Sequence, residues 1–189
     1  EAQWGEFTGI VGKFETDPES ALLQDPSFSG IAMEVEGRMR VNPSNIAKMS
    51  DEAVDDVLAH ETGHMLPEQK VQEARYRRIF DELPGNIGGL LSDANRQKVK
   101  LMAYLIALHE AQAYAITLAL RRAELGKGLR GYLQRIAASD TQNGSTYSSL
   151  ANSVDEEGNI LFDRLLESML DPARPTGTLA QMGTLTALE

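Results

Sequence analysis

Residues 50–67 read Ser-Asp-Glu-Ala-Val-Asp-Asp-Val-Leu-Ala-His-Glu-Thr-Gly-His-Met-Leu-Pro. Ser50 is a residue type that caps helix N-termini, and the two acidic residues after it stand where the helix dipole favours anions. Proline cannot continue a helix, so Pro67 marks a stop. The segment therefore predicts a helix that begins after Ser50 and runs to about Leu66.

Two histidines of this segment are spaced four residues apart. On a helix, residues with that spacing lie on one face, so His60 and His64 can present two imidazoles to one metal ion. Glu61 lies about 100° further round the helix and can accept a proton from a water molecule that the metal activates. This His-Glu-x-x-His pattern is typical of zinc peptidases. An ordinary amphipathic helix with incidental histidines is the alternative, but the chain has only 3 histidines.

A third ligand is needed, because a catalytic zinc site uses three protein ligands and leaves one position open. Glu110 lies in an apolar helical stretch, where a buried carboxylate is costly unless it is paired or coordinates a metal. Ala113, one turn later, is small enough to let that helix approach another. We therefore predict Zn²⁺ bound by His60, His64 and Glu110. The alternative third ligands are His109, Glu68, Glu73, Asp81 and Asp93.

Other metal sites that have similar sequence motifs do not fit this chain. A di-iron helical bundle would need a second Glu-x-x-His, but residue 106, three positions before His109, is Ile106. Peptide deformylase-like enzymes also carry His-Glu-x-x-His, and that resemblance implies a cysteine ligand, which is absent here. The metzincin motif requires a glycine and a third histidine soon after His64, whereas residues 65–70 are Met-Leu-Pro-Glu-Gln-Lys.

A hydrogen-bond donor for the anion that forms during amide hydrolysis is also expected. Tyr114 follows Glu110 by four residues and so lies on the same helical face. We predict Tyr114 for this role, with Tyr104 and Tyr76 as alternatives. A tyrosine in a helix more often packs in the core with its hydroxyl at the rim.

The rest of the chain predicts a small strand region followed by helices. Apolar residues alternate with polar or small ones on both sides of Glu36-Gly37, which indicates an antiparallel hairpin that reverses there. Its second strand, residues 38–41, could bind a peptide by main-chain pairing. The segment from Ser139 to Gly158 is polar and resembles a loop. Further helices are predicted at 68–82, at 93 to about 125 with a stop at Gly126, at 129–138 and at 160–170.

This order predicts an α+β fold of the zincin type. It would have a small antiparallel sheet, an active-site helix and a mainly helical C-terminal part. We expect one domain over residues 1–170 and a flexible tail over 171–189, because the tail contains two prolines and little that would anchor it.

Composition restricts the partners. The formal net charge of −10 over 189 residues repels phosphate backbones, so we expect no nucleic acid ligand. We also expect no membrane partner, because charges interrupt the longest apolar runs. With no cysteine, disulfides, thiolate metal sites and cysteine nucleophiles are excluded. The compartment is not fixed by these features; we favour the cytoplasm, with a processed or exported fragment as the alternative because residue 1 is not methionine. Nothing indicates the oligomeric state.

The two motifs together resemble the gluzincins, the His-Glu-x-x-His peptidases whose third zinc ligand is a glutamate on a downstream helix. The resemblance is closest to compact zincin domains of phage-encoded and stress-response regulators. Those show a strand hairpin with an Asn-Pro-like turn, a His-Glu-x-Gly-His helix and a later Glu-x-x-Ala. The matching residues here are 37–43, 60–64 and 110–113, within a region of roughly 30–120.

The resemblance implies a zinc-dependent hydrolase that cleaves peptide bonds in a protein or peptide substrate. One alternative is a binding or regulatory module that keeps the zincin scaffold without efficient hydrolysis. A third hypothesis is a purely structural helical domain. Glu61 argues against a scaffold that has lost its activity, because such a scaffold needs no general base.

Overall fold

A computed structural model describes residues 14–15, 30–33, 38–41, 47, 49–84, 92–139 and 144–171. Its contacts divide the chain into two compact units, Glu1–Pro67 and Glu68–Glu189, which are described separately below. The prediction of one domain over residues 1–170 stays a prediction. The predicted tail lies outside the described residues from position 172 onward.

The described residues of the first unit include three short strands, β1 (Phe14–Glu15), β2 (Gly30–Met33) and β3 (Arg38–Val41). Strand β3 is central, and it pairs antiparallel with β2, Gly30 being opposite Val41. On its other side β3 pairs parallel with β1. The predicted reversal at Glu36-Gly37 lies outside the described residues.

Helices make up most of the described chain. A 3-10 turn, Gly126–Gly128, separates the third from the fourth. In chain order they are α1 (Asp51–His64), α2 (Pro67–Asp81), α3 (Asp93–Leu125), α4 (Leu129–Ser139), α5 (Gly144–Asn152) and α6 (Phe162–Leu170).

The predicted α+β class with a small antiparallel sheet is wrong. From residue 47 onward the described residues are 83% helical and contain no strand. The extended segments before that point are no longer than four residues, and their pairing is mixed because β1 runs parallel to β3. A short alternating pattern indicates strands, but it does not show how much of the fold the sheet makes up. The structure is mainly helical.

Helix α1 forms where the sequence predicts it. The Ser50 hydroxyl accepts a hydrogen bond from the Ala53 backbone N–H at 3.2 Å, which satisfies one of the free donors of the first turn. The helix ends at His64, two residues before the predicted end. Pro67 opens α2, because proline is well suited to the first position of a helix. Helix α1 packs against β2.

Helix α3 is the longest element of the second unit. It has 33 residues and therefore spans about 50 Å, at a rise of about 1.5 Å per residue. The Ser92 hydroxyl caps its first turn by accepting from the Asn95 backbone N–H at 3.3 Å, and the helix stops at Gly126, which has a φ of 54°. Small and apolar side chains on one face are buried, namely Val99, Met102, Ala103, Ala107, Ala111, Ala113 and Leu118. Helices α4 and α6 pack against it.

The polar segment between α4 and α6 is not the predicted loop. It contains helix α5, whose buried residues include Tyr147, Leu150 and Ala151. These three have the i, i+3, i+4 spacing of a helical face, but the serines between them hide the pattern in the composition. A methyl group on Gly144 would lie 2.7 Å from the Ala137 carbonyl oxygen of α4, so the two helices approach closely there.

One helical stretch among the described residues, Asp93–Ser139, is long and apolar enough to cross a membrane by length and composition. Less than half of its most apolar part is buried inside the protein. A core helix of a soluble protein passes the same test. The expectation of no membrane partner stays a prediction, although an apolar run of sufficient length does exist.

A tight loop fastens the end of α3 to the segment before α6. The Asp155 carboxylate accepts hydrogen bonds from the backbone N–H groups of Glu157 (2.9 Å) and Asn159 (2.7 Å). Arg122 of α3 donates to the Asn159 side-chain oxygen at 2.6 Å. Gly158 has a φ of +80°, and a methyl group there would lie 2.5 Å from the Gly126 carbonyl oxygen. The loop therefore requires glycine at position 158.

We expect Gly158→Ala to lower the free energy of unfolding by about 2–4 kcal/mol. The positive φ alone costs an L-residue roughly 1 kcal/mol or more, and the methyl group must also displace the Gly126 carbonyl. Urea unfolding of the variant and the wild type measures the difference. Gly131→Ala is the matched control, because position 131 is exposed and has nothing near the added methyl. Alanine there should stabilise α4 by about 1 kcal/mol. Equal stability of the two variants would contradict the expected difference.

Candidate metal centre

The two predicted histidine ligands face each other on α1. His60 Nε2 and His64 Nε2 are 3.1 Å apart. Their rings are edge-to-face, with centroids 4.6 Å apart and an interplanar angle of 88°. His64 is buried and His60 is half-buried. The four-residue spacing thus places the two Nε2 atoms side by side on the helix surface.

That distance suits two ligands of one zinc ion. Two Zn–N bonds of about 2.0–2.1 Å at a tetrahedral angle place the nitrogens about 3.3–3.4 Å apart. The observed 3.1 Å is close to this value. The same distance also fits a hydrogen bond in which one imidazole donates to the other, depending on which nitrogen carries the proton. The geometry fits a metal but does not require one.

Glu61, the predicted general base, is half-buried on α1 directly after His60. Asp56, an acidic residue on the same face of α1 as the two histidines, was not singled out from the sequence. Asp56 is only 6% exposed, and it precedes His60 by one turn, so it lies on the same helical face. The sequence carried a signal for it in the i, i+4, i+8 series that Asp56, His60 and His64 form. A buried carboxylate on the ligand face adds negative charge, which favours a cation there.

The other predicted residues lie in the second unit, on α3. Glu110 and Tyr114 are both half-buried and are separated by one helical turn. Glu110 offers one carboxylate oxygen as a ligand atom. Tyr104, an alternative anion-stabilising residue, is 44% exposed. The prediction of Glu110 as a ligand and of Tyr114 as a hydrogen-bond donor stays a prediction.

Tyr76 of α2 lies beside His109, the residue before Glu110. Its ring meets the His109 ring edge-to-face, with centroids 5.6 Å apart and an interplanar angle of 75°. Burial raises the pKa of the Tyr76 phenol well above its usual range, and the carboxylates of Glu73 and Glu110 raise that pKa further. The phenol therefore keeps its proton and can act as a hydrogen-bond donor.

The alternative third ligands occupy less suitable places. Glu73 is 8% exposed, but Arg77 contacts its carboxylate at 2.7 Å and Lys70 contacts it at 3.5 Å. A carboxylate held by two cations has little charge left to offset a metal ion. His109 is buried and packs against Tyr76. The remaining alternatives, Glu68, Asp81 and Asp93, are exposed.

Three glutamines that were not predicted from the sequence join α2 to α3. The side-chain nitrogens of Gln69 and Gln72 both donate to the Gln112 side-chain oxygen at 2.7 Å. At the other end of α2, Lys98 of α3 contacts Glu82 at 3.0 Å. These contacts pair the two helices in opposite directions and thereby place Tyr76 beside His109.

The strand predicted to bind a peptide is β3, residues 38–41. It has β2 on one side and β1 on the other. Main-chain pairing with a peptide needs a free strand edge, because each edge can be paired only once. Among the described strands the edges are β1 and β2, so a peptide would extend one of those two and not β3.

Comparison with protein-family models, with curated proteins and with solved structures found no match for this chain. The resemblance to the gluzincins depends on the residues of three short stretches, 37–43, 60–64 and 110–113.

Proposed function

We propose that this protein is a zinc-dependent metallopeptidase. His60, His64 and Glu110 would bind the metal, and Glu61 would be the general base. The observation that carries the proposal is the convergence of His60 Nε2 and His64 Nε2, 3.1 Å apart, on the face of a helix that also carries Glu61. The half-buried Glu110 supports the third position, because it offers a carboxylate oxygen in an apolar helix.

The ligand types suit zinc. Two imidazoles and one carboxylate form a donor set used in catalytic zinc sites. A carboxylate offsets one of the two positive charges of the ion, whereas neutral imidazoles offset none. A bound zinc ion supplies Lewis-acid polarisation and lowers the pKa of its water to about 7.

The chain's own residues perform the proton transfers and charge stabilisation. Glu61 accepts the proton of the attacking water and then delivers it to the departing amine, because hydrolysis of an amide needs both steps. Tyr114 donates a hydrogen bond to the oxygen that becomes negative as the carbonyl carbon turns tetrahedral. The substrate is a protein or peptide, and the net charge of −10 favours neutral or basic segments over acidic ones.

Zinc content is the first test. Wild-type protein should carry about one zinc per chain after dialysis against a buffer that contains zinc, and His60→Ala/His64→Ala should carry almost none. Elemental analysis of the two proteins, with circular dichroism to show that both remain helical, measures this. Glu52→Gln is the matched control, since it changes an exposed residue in the first turn of the same helix and should keep the zinc. Stoichiometric zinc in the double variant would show that the histidines of α1 do not bind the metal.

A further inference from the structure

Three glutamine side chains meet where the first turns of α2 face α3. The side-chain nitrogens of Gln69 and Gln72 both donate to Gln112 Oε1 at 2.7 Å. Gln69 is only 3% exposed, and the other two residues are half-buried. We call these three residues the glutamine clamp. All three belong to the second unit, and their hydrogen bonds set the register of α2 against α3 within it.

The glutamine clamp joins two parts of the chain that lie close in sequence to predicted metal ligands. His64 is the last residue of α1, and Gln69 follows it by five residues, in the first turn of α2. Gln112 follows Glu110 by two residues on α3, which is about 3 Å along the helix axis. Since a helix holds its own residues at fixed spacing, a bond that fixes Gln112 also fixes the backbone of Glu110. The clamp thus fastens the α3 turn that carries Glu110 to a segment five residues after His64.

The glutamine clamp specifies a register more than it stabilises the helix pair. The side-chain oxygens of Gln69 and Gln72 are buried and accept no hydrogen bond from the described residues. Buried polar groups in this state cost free energy, and apolar groups of the same shape can replace such a network with little loss of stability. Amides, however, bond at one register and lose their bonds when the helices slide past each other. The Glu82–Lys98 contact constrains the register less, because both side chains are at least 40% exposed.

We propose that Gln112 is a positioning residue for the metal centre. Through the glutamine clamp it sets the register of α3 on the first turns of α2. That register determines where the Glu110 carboxylate meets the ion that His64 binds. The inference rests on the proposed function, because it takes His64 and Glu110 as ligands. Residues that contact no ligand can change the affinity of a distant site by about 2–30-fold through the packing that joins them to it.

The test compares wild type with Gln112→Met and with the triple variant Gln69→Met/Gln72→Met/Gln112→Met. Methionine is close to glutamine in length, so the triple variant replaces the whole clamp by apolar contacts and should melt near or above the wild-type temperature. We expect both variants to bind zinc about 10-fold more weakly in competition with a chromophoric chelator. The visible absorption of the Co²⁺-substituted proteins should change as well, because it reports the ligand geometry. Gln97→Met changes an exposed glutamine of the same helix and should leave both readings unchanged.

Gln112→Glu is the conservative variant that should restore the metal readings. Its carboxylate can still accept from both amides of α2, so the register is kept and the cobalt spectrum should be that of wild type. Zinc should bind at least as tightly as to wild type, because an added negative charge favours a cation. A spectrum changed as in Gln112→Met would contradict the role of these hydrogen bonds.

The remaining outcomes separate this inference from the proposed function. If Glu110→Ala loses zinc but a stable triple variant matches wild type in zinc affinity and cobalt spectrum, the glutamine clamp serves packing alone, and the proposed function stands. If the triple variant does not fold, equal metal readings in Gln112→Met and Gln112→Glu overturn the inference in the same way. If Glu110→Ala and His60→Ala/His64→Ala both keep full zinc affinity, the metal site itself is wrong, and the inference falls with it.

Discussion

Glu61→Gln is expected to abolish peptide hydrolysis and leave zinc content and fold unchanged. The amide is nearly isosteric with the carboxylate but cannot accept the proton of the attacking water. General-base catalysis contributes about 10²–10⁴-fold to rates of this kind, so the variant should be slower by at least that factor. The fall should appear in kcat, because the base acts in the chemical step.

A mixed peptide library incubated with zinc-loaded wild type identifies a cleaved substrate, and the variant is then assayed on that peptide. Glu52→Gln is the matched control: Glu52 is an exposed residue in the first turn of the same helix, and its loss should not affect the rate. A Glu61→Gln variant as fast as wild type would show that Glu61 is not the base. A wild type that binds zinc and cleaves no peptide of the library would favour the binding or regulatory module instead.

Glu110→Ala is expected to weaken zinc binding by more than about 100-fold, since the loss of a hydrogen-bond partner behind a ligand already costs about 10–100-fold. Only the two histidines would then hold the ion. The helix should survive, because alanine is the strongest helix former and the site lies far from both ends of α3. Glu110→Gln should fall between wild type and Glu110→Ala, as it keeps an oxygen ligand but loses the charge.

Competition with a chelator measures all three affinities, and Glu124→Ala provides the control on the same helix. Glu124 pairs with Arg121 at 3.0 Å and has no proposed contact with metal. Unchanged zinc affinity in Glu110→Ala would exclude Glu110 as a ligand. If zinc binding were still lost in the double histidine variant, another carboxylate would have to be the third ligand, and the peptidase hypothesis would stand without the gluzincin resemblance.

Local signals predicted the helices well. Ser50 stands at a helix start and Gly126 at a helix end, as predicted, because caps depend on neighbouring residues alone. The same reasoning failed for α5, where serines diluted a buried stripe of Tyr147 and Leu150. The fold class was wrong for a different reason. Alternation marks a strand locally, but the length and partners of a strand are set by contacts that are distant in sequence.

The part of the candidate site that lies within one helix was predictable, and the contacts between helices were not. A spacing of four residues on one helix fixes the His60–His64 geometry, so the sequence alone predicted that the two nitrogens meet. The packing of Tyr76 on His109 and the glutamine contacts to Gln112 join residues more than 30 positions apart. No periodicity within a single helix contains that information. Such pairs follow from the register between helices, which only the folded structure shows.

The length of α3 has a practical use. Leu125, its last residue, lies about 22 Å from Glu110 along the helix axis, at a rise of about 1.5 Å per residue. Tyr132 of α4 lies under the Arg121 guanidinium, at 5.5 Å, and Arg121 is about 16 Å from Glu110 along the axis, so a fluorophore attached at the neighbouring exposed position 131 would still be remote from the carboxylate on α3. Because the chain has no cysteine, a single cysteine introduced there could be labelled selectively. Its emission would follow unfolding of the C-terminal helices in real time, while zinc titrations proceed in the same sample.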